Sequence, residues 1–191
     1  MLILVRHGQT AANAEGRLLG RADPPLTDLG RRQAEALAAA LGSPARVISS
    51  PLERARATAA GFGRPVEVDE RWIELDYGAL DGVAWDDVAP EIWDRWRADC
   101  RFVPEGGESL AALGLRVREA CEHLAGEASV ADVVVVTHVS PIKAAVAWAL
   151  GTGDEVAWRL YVHDASVCRI LTGPPGPRLV AFNETHPPAA R

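Results

Sequence analysis

Several things are scarce in this chain of 191 residues, and each scarcity excludes something. Its cysteines are Cys100, Cys121 and Cys168, an odd number without a CxxC pair, which speaks against a disulfide framework and a thiolate metal site and fits a reducing cytoplasm. No apolar run approaches the ~20 residues that a bilayer span needs. The N-terminus has neither a basic lead nor an apolar signal core, so neither export nor membrane insertion is expected. Lys143 is the single lysine among 20 basic residues, a skew that reads, with the abundant alanine, as coding composition. Positive charge is outweighed, at a formal net charge of -6, so nucleic acid and anionic membranes are repelled and any cationic cluster acts locally. Repeats, linkers and low-complexity segments are also missing. A chain that is 48% hydrophobic and 24% charged therefore predicts one folded domain over residues 1–191.

What is present is an alternation of strand and helix signals. Residues 2–6 read as a buried strand, followed by a helix with Thr27 as N-cap, apolar positions at Leu29, Ala34, Leu37 and Leu41, and Gly42 as its stop. A second strand at 45–51 leads into the helix "LERARATAAG", ending at Gly61. Ser109, or Glu108 beside it, opens a further helix through Leu110, Leu113, Val117 and Leu124. "DVVVVTH" (132–138) has the continuous apolar run of a strand buried on both faces, "SPIKAAVAWALG" (140–151) is the helix after it, and "SVCRILTG" and "RLVAFN" close the chain as two strands. The pattern predicts an α/β fold, a three-layer α/β/α sandwich around a mostly parallel sheet. Trp85, Trp93, Trp96 and Phe102, with Pro90 interrupting them and "PEGGES" closing the stretch, break the rhythm and read as a small inserted helical cap, approximately 79–107.

Two strands end alike. Val5 leads into Arg6-His7-Gly8, and Val136 leads into Thr137-His138. In a parallel sheet the carboxyl ends of the strands share one edge, where ligands bind, so both histidines are expected to face one crevice. "SSPLERARATA" adds Ser49 and Ser50 at the end of a third strand and Arg54 in the first turn of the next helix, where backbone N–H groups already favour an anion. A phosphoryl group suits this set: guanidiniums grip its oxygens with forked hydrogen bonds while an imidazole attacks in line, and no metal is required. Nearby guanidiniums also disfavour imidazolium and keep a histidine neutral and nucleophilic. Gly8, lacking a Cβ, is read here as room for a phosphate against the backbone. The spacings HxH and HExxH and an aspartate-rich cluster, which a histidine-based metal hydrolase would show, are absent.

In order and spacing, "LVRHGQTAANAEGRLLGRADPPLTDLGRRQA", "SSPLERARATA", "ELDYGALDG", "PEGGES" and "VVVVTHVSPI" resemble the histidine phosphatase superfamily over nearly the whole chain. The resemblance is to its acid phosphatase and α-ribazole phosphatase branch. It implies a phosphomonoesterase acting on a small-molecule phosphate ester without metal or organic cofactor. By the same resemblance His7 becomes phosphohistidine, Arg6, Arg54 and His138 hold the phosphoryl oxygens, Asn13 helps bind it, and Glu74 is the general acid/base. Asp76 and Asp81 are nearby competitors for that last role. Thr10 and Gly20 match positions on the substrate side. Val139 stands where the family often has glycine, so its backbone N–H still reaches an oxygen while its side chain narrows the approach. The alternatives are a cofactor-dependent phosphoglycerate mutase-type phosphoryl transfer and a catalytically inactive phosphate-ester binding protein. Only residues 75–137 separate Glu74 from His138, shorter than the mutase insertion. The intact His7, Glu74 and His138 count against an inactive binder. Arg95, Arg97 and Arg101 are candidates for a second acidic group of the substrate. His123 and His163 belong to no motif, and Asn183 and His186 are taken as structural. The substrate, its contact with the cap, and the oligomeric state are not fixed by these residues.

Overall fold

The apolar run at the N-terminus becomes β1 (Leu2–Arg6), and the valines at 133–136 become β4 (Val133–Thr137), the two paired in parallel with Arg6 opposite Thr137. The structure is a computed structural model that describes residues 1–188; the last three residues of the expected domain 1–191 lie outside the described residues. β2 (Arg46–Ser49) lies parallel on the other side of β4, and β3 (Val66–Val68) parallel beyond it. β5 (Ser166–Leu171) and β6 (Arg178–Thr185) complete the sheet antiparallel, in the order β3-β2-β4-β1-β5-β6. β3 has no counterpart in the sequence reading: it is three residues long and mostly exposed, so it carries neither a buried run nor an alternating one.

Side-chain alternation along the central strands feeds two cores. Leu2, Leu4, Val133 and Val135 face α5 (Leu110–Ala128) and α6 (Val139–Leu150), whereas Ile3, Val5, Val134 and Val136 face α2 (Asp28–Leu41) and α3 (Glu53–Ala60). This gives the three layers, and the four valines of β4 are fully buried, each contributing on the order of 1.5–3 kcal/mol. Helix starts follow the expected caps: Thr27 Oγ1 accepts from Gly30 N–H and Ser109 Oγ from Ala112 N–H. Glu108, the other candidate, instead forms a two-pronged ion pair with Arg116.

The segment after Glu74 is held to the sheet layer rather than standing apart from it. Pro90, which looked like an interruption, is the first residue of α4 (Pro90–Ala98), where its missing N–H costs nothing. Trp96 on α4 is 1% exposed and belongs to the same core as Leu2, Leu113 and Ile142. Gly78 takes φ +53° and a Cβ there would lie 2.1 Å from the Glu105 carbonyl, so "DYG" and "PEGG" are mutually fitted backbones.

Candidate active site

Parallel pairing brings three strand ends side by side, and the ladder runs on past them. His7 N–H donates to the Thr137 carbonyl at 3.0 Å and Ser50 N–H to the Val136 carbonyl at 2.9 Å. The His7 and His138 rings lie side by side at these strand ends, with centroids 5.0 Å apart and exposures of 3% and 0%. His7 Nδ1 lies 2.7 Å from the Gly8 carbonyl, which can only accept, so Nδ1 bears the proton and Nε2 keeps its lone pair. Arg54 Nε donates to that Nε2 at 3.3 Å. Burial, then the Arg54 and Arg6 guanidiniums, hold the His7 imidazole well below its ordinary pKa, with only the Gly8 carbonyl acting the other way. His138 is likewise lowered, first by burial and then by Arg54, His7 and Arg6, and its Nε2 lies 2.7 Å from Ser50 Oγ. Two neutral imidazoles thus stand between two guanidiniums.

The guanidiniums are anchored differently. Arg54 is fully buried; besides His7, it donates to the carbonyls of Gly20 at 2.8 Å and Ala22 at 2.7 Å and faces Asp23 at 3.4 Å. Burial lowers its pKa, while Glu74, Asp23 and Asp81 oppose that shift. Arg6 spends its terminal nitrogens on the Val162 carbonyl and the Asp164 carboxylate, both at 2.7 Å. Glu74 is 3% exposed, and its carboxylate accepts from Leu75 N–H at 2.7 Å and Ser140 N–H at 3.2 Å. It is thereby tied to the first turn of α6, the helix that His138 opens.

A cavity of about 90 Å³ brings together Arg6, His7, Asn13, Glu74 and Val139 among the expected residues. Arg54 and His138 do not line it: both are fully buried, Arg54 Nε 3.3 Å from His7 Nε2 and the His138 ring 5.0 Å from that of His7, and with His7 they make a basic floor. Thr10 and Gly20 do not line the cavity either. Thr10 Oγ1 is taken up in a capping box with Asn13 at the start of the short helix α1 (Ala11–Ala14), and Gly20 gives its carbonyl to Arg54 and its N–H to Asp81. Asp81 accepts three backbone N–H groups, from Gly20, Arg21 and Ala22, each at 2.8 Å, so it organises the loop that holds Arg54. Asp76 closes a turn onto Gly78 N–H and faces Arg21. Gly8 has a packing reason besides the one expected: a Cβ there would sit 2.3 Å from the Gly30 carbonyl of helix α2.

Three site residues were missed, and Ser50, placed at the strand end, was given no role. Ser50 fixes the His138 ring and Asp164 fixes Arg6. Arg116 donates to the carbonyls of Arg71, Ile73 and Glu74, bracing the segment that carries the acid, and its pairing with Glu108 of "PEGGES" was the available signal. Lys143, the single lysine, lines the cavity, and its place one turn and a half beyond His138 was its only signal. Its neighbour is a second chamber of about 390 Å³ walled by Trp93, Trp96, Trp158 and Leu110, and the two spaces share Tyr77, Trp85, Val139 and Lys143. Among the described residues, no cluster of three or more His, Cys, Asp or Glu could hold a metal ion, and no helix is long and apolar enough to cross a membrane.

The chain as a whole is similar to known proteins. The family model described as histidine phosphatase superfamily (branch 1) matches residues 2–185. A bifunctional protein of Mycobacterium tuberculosis is 39% identical over 87% of this chain, which spans 48% of that protein; the chain thus covers about half the length of such curated relatives. Phosphoserine phosphatase 1 of Hydrogenobacter thermophilus is 35% identical over 86% of this chain and 83% of its own. The structure of a mycobacterial glucosyl-3-phosphoglycerate phosphatase in complex with VO3 superposes with a TM-score of 0.86, at 32% identity, over 96% of this chain and 98% of that one.

Proposed function

The chain belongs to the histidine phosphatase superfamily, branch 1, and from that premise we propose that it is a phosphomonoesterase that hydrolyses a small-molecule phosphate ester through a phosphohistidine on His7. The carrying observation is the 2.7 Å contact of His7 Nδ1 with the Gly8 carbonyl: an acceptor there calls for the proton on Nδ1, which leaves the Nε2 lone pair for phosphorus. In the first half-reaction Nε2 bonds to phosphorus, the bond from phosphorus to the alcohol oxygen breaks, and protonated Glu74 delivers its proton to that oxygen. Arg54 gives up its bond to Nε2 and, with Arg6, His138 and Asn13, takes the phosphoryl oxygens; the N–H of Val139, at the α6 N-terminus, adds a donor. In the second half-reaction Glu74, now a carboxylate, takes a proton from water as that water attacks phosphorus and the P–N bond returns its electrons to His7. Metal ions have no part in this scheme, because guanidiniums and N–H groups supply the charge.

The relatives named above act, by their names, on phosphoserine and glucosyl-3-phosphoglycerate, and a phosphate ester of that kind is the substrate class carried over here. The mutase alternative is tested by assaying phosphate release and 3- to 2-phosphoglycerate interconversion side by side, with and without EDTA. Release is expected to dominate and to survive chelation. Interconversion faster than release overturns the phosphatase reading, and activity restored only by added Zn²⁺ or Mg²⁺ overturns the metal-free mechanism.

A further inference from the structure

The cations that the sequence offered for a second acidic group are already engaged or peripheral. Arg95 lies over the Phe102 ring at 4.5 Å, and Arg97 is 3.6 Å from Asp94 and 5.9 Å from the Trp93 and Trp158 rings, at the outer edge of the chamber. Arg101 lines neither the cavity nor the chamber.

Lys143 is the contrary case. It is half-buried on α6, lines both spaces, and forms neither a hydrogen bond nor an ion pair among the described residues. Burial lowers its ammonium pKa; the Glu74 carboxylate opposes that shift and Arg6 adds to it, which places Lys143 within the field of the catalytic groups. Its ammonium is not among the buried unpartnered atoms, so it stays open to the spaces it lines, and an anion there gains more from it than from a fully hydrated lysine. Glu74 acts on it only through space, with no hydrogen bond or ion pair between them, and its oxygens accept from the N–H groups of Leu75 and Ser140 instead. The two spaces also divide a phosphate ester in a defined way. With the phosphoryl group at the floor, the shared walls Tyr77, Trp85, Val139 and Lys143 offer the alcohol half a way towards the chamber.

We propose that Lys143 is the specificity-determining residue for the alcohol half of the substrate, and that it receives a carboxylate carried beside the phosphoester while the aromatic chamber takes whatever that half carries further out. This rests on the phosphatase reading and goes beyond it by assigning the subsite. The carboxylate is a monodentate, compact demand, which a lysine ammonium meets without the fork of an arginine.

The test compares 3-phosphoglycerate with glycerol 3-phosphate, which differ by a carboxylate against a hydroxymethyl group, and reads the ratio of their kcat/KM values. The wild-type protein is expected to favour 3-phosphoglycerate by roughly tenfold or more, as a charge-assisted hydrogen bond allows. Lys143→Met should bring the ratio close to one, whatever general loss it also causes, and Lys143→Arg should keep part of the preference. An unchanged ratio in Lys143→Met, or an equal loss on both esters with a shifted pH profile, overturns the proposal and makes Lys143 a support for Glu74. A wild-type ratio near one, with p-nitrophenyl phosphate still hydrolysed, removes the carboxylate subsite alone. Failure to release phosphate from any of the three esters removes the phosphatase reading and this inference with it.

Discussion

The basic floor and the aromatic chamber share walls at Tyr77, Trp85, Val139 and Lys143, yet they are assembled by different means. On the floor, His7 and Ser50 are locked by ladder hydrogen bonds that prolong the strands, Arg54 is clamped by loop carbonyls, and Glu74 is tied to the start of α6. The chamber has almost no such fixtures. Trp93 and Trp96 are stacked with centroids 5.8 Å apart, and Trp158 meets both edge-on, at 6.1 Å and 5.9 Å. Dispersion and apolar burial hold them, which tolerate side-chain rearrangement far more readily than a backbone ladder does. Chemistry that demands placement within fractions of an ångström sits where backbone fixes it, and selection among alcohols sits where side chains can be exchanged.

Removing the nucleophile is the hardest test of that separation. His7→Ala is expected to abolish turnover together with the acid-labile phosphoenzyme, while tryptophan fluorescence, reporting largely on the chamber, stays as in the wild-type protein. Loss of the fluorescence signal in that variant breaks the comparison, because floor and chamber would then stand or fall together.

Glu74→Gln comes next in size. The amide keeps the carbonyl that accepts from Leu75 N–H but carries no transferable proton, so turnover of an alkyl phosphate is expected to fall by roughly 10²–10⁴. p-Nitrophenyl phosphate, whose leaving group departs unaided, should lose less, or show a burst of p-nitrophenol with accumulating phosphohistidine if the second half-reaction has become limiting. An equal loss on both esters without a burst removes Glu74 from the proton transfers. Asp81 is then a poor replacement, since its oxygens already accept three N–H groups.

The same division explains what could be read without a structure. The floor was legible because parallel strands end in contiguous motifs, and knowing that their carboxyl ends share an edge was enough to bring Arg6, His7, Arg54 and His138 together. Hydrophobic period gave the layers for the same reason, since β4 is buried on both faces. What stayed hidden has no local signature. Of the chamber, Trp85, Trp93 and Trp96 stood out as a cluster, but its remaining walls come from segments as distant as Leu18 and Trp158; the work of Asp81 and Arg116 is done on backbone groups, and β3 is too short and exposed to leave a pattern. Gly8 shows a subtler limit: the Gly30 carbonyl, which also leaves no room for a Cβ there, lies on a helix that sequence cannot dock.

The smallest effect concerns stability, and it separates the two regions by pH. His7 and His138 are held below their ordinary pKa in the folded chain, chiefly by burial, whereas the unfolded chain titrates them near 6.5. Below about pH 6.5 the unfolded state therefore takes up protons that the folded state refuses, so the stability present above that pH is lost as pH falls towards the depressed folded values. Each imidazole contributes a slope of about 1.4 kcal/mol per pH unit in that window. Glu67, held low by hydrogen bonds from Arg46, acts in the same direction but only in the carboxylate range, which keeps the two windows apart. The chamber has no histidine in its lining and contributes nothing between pH 6.5 and 5. Urea unfolding across pH 8 to 5 should show this slope, and His138→Gln should reduce it by one proton's share. Amide protection, corrected for the intrinsic exchange rate at each pH, should fall with acid at the ends of β1 and β4 before it does in α4. A slope unaltered in His138→Gln, or α4 opening first, means that the imidazoles are not the strained element of the fold and that the floor is not the part acid undoes.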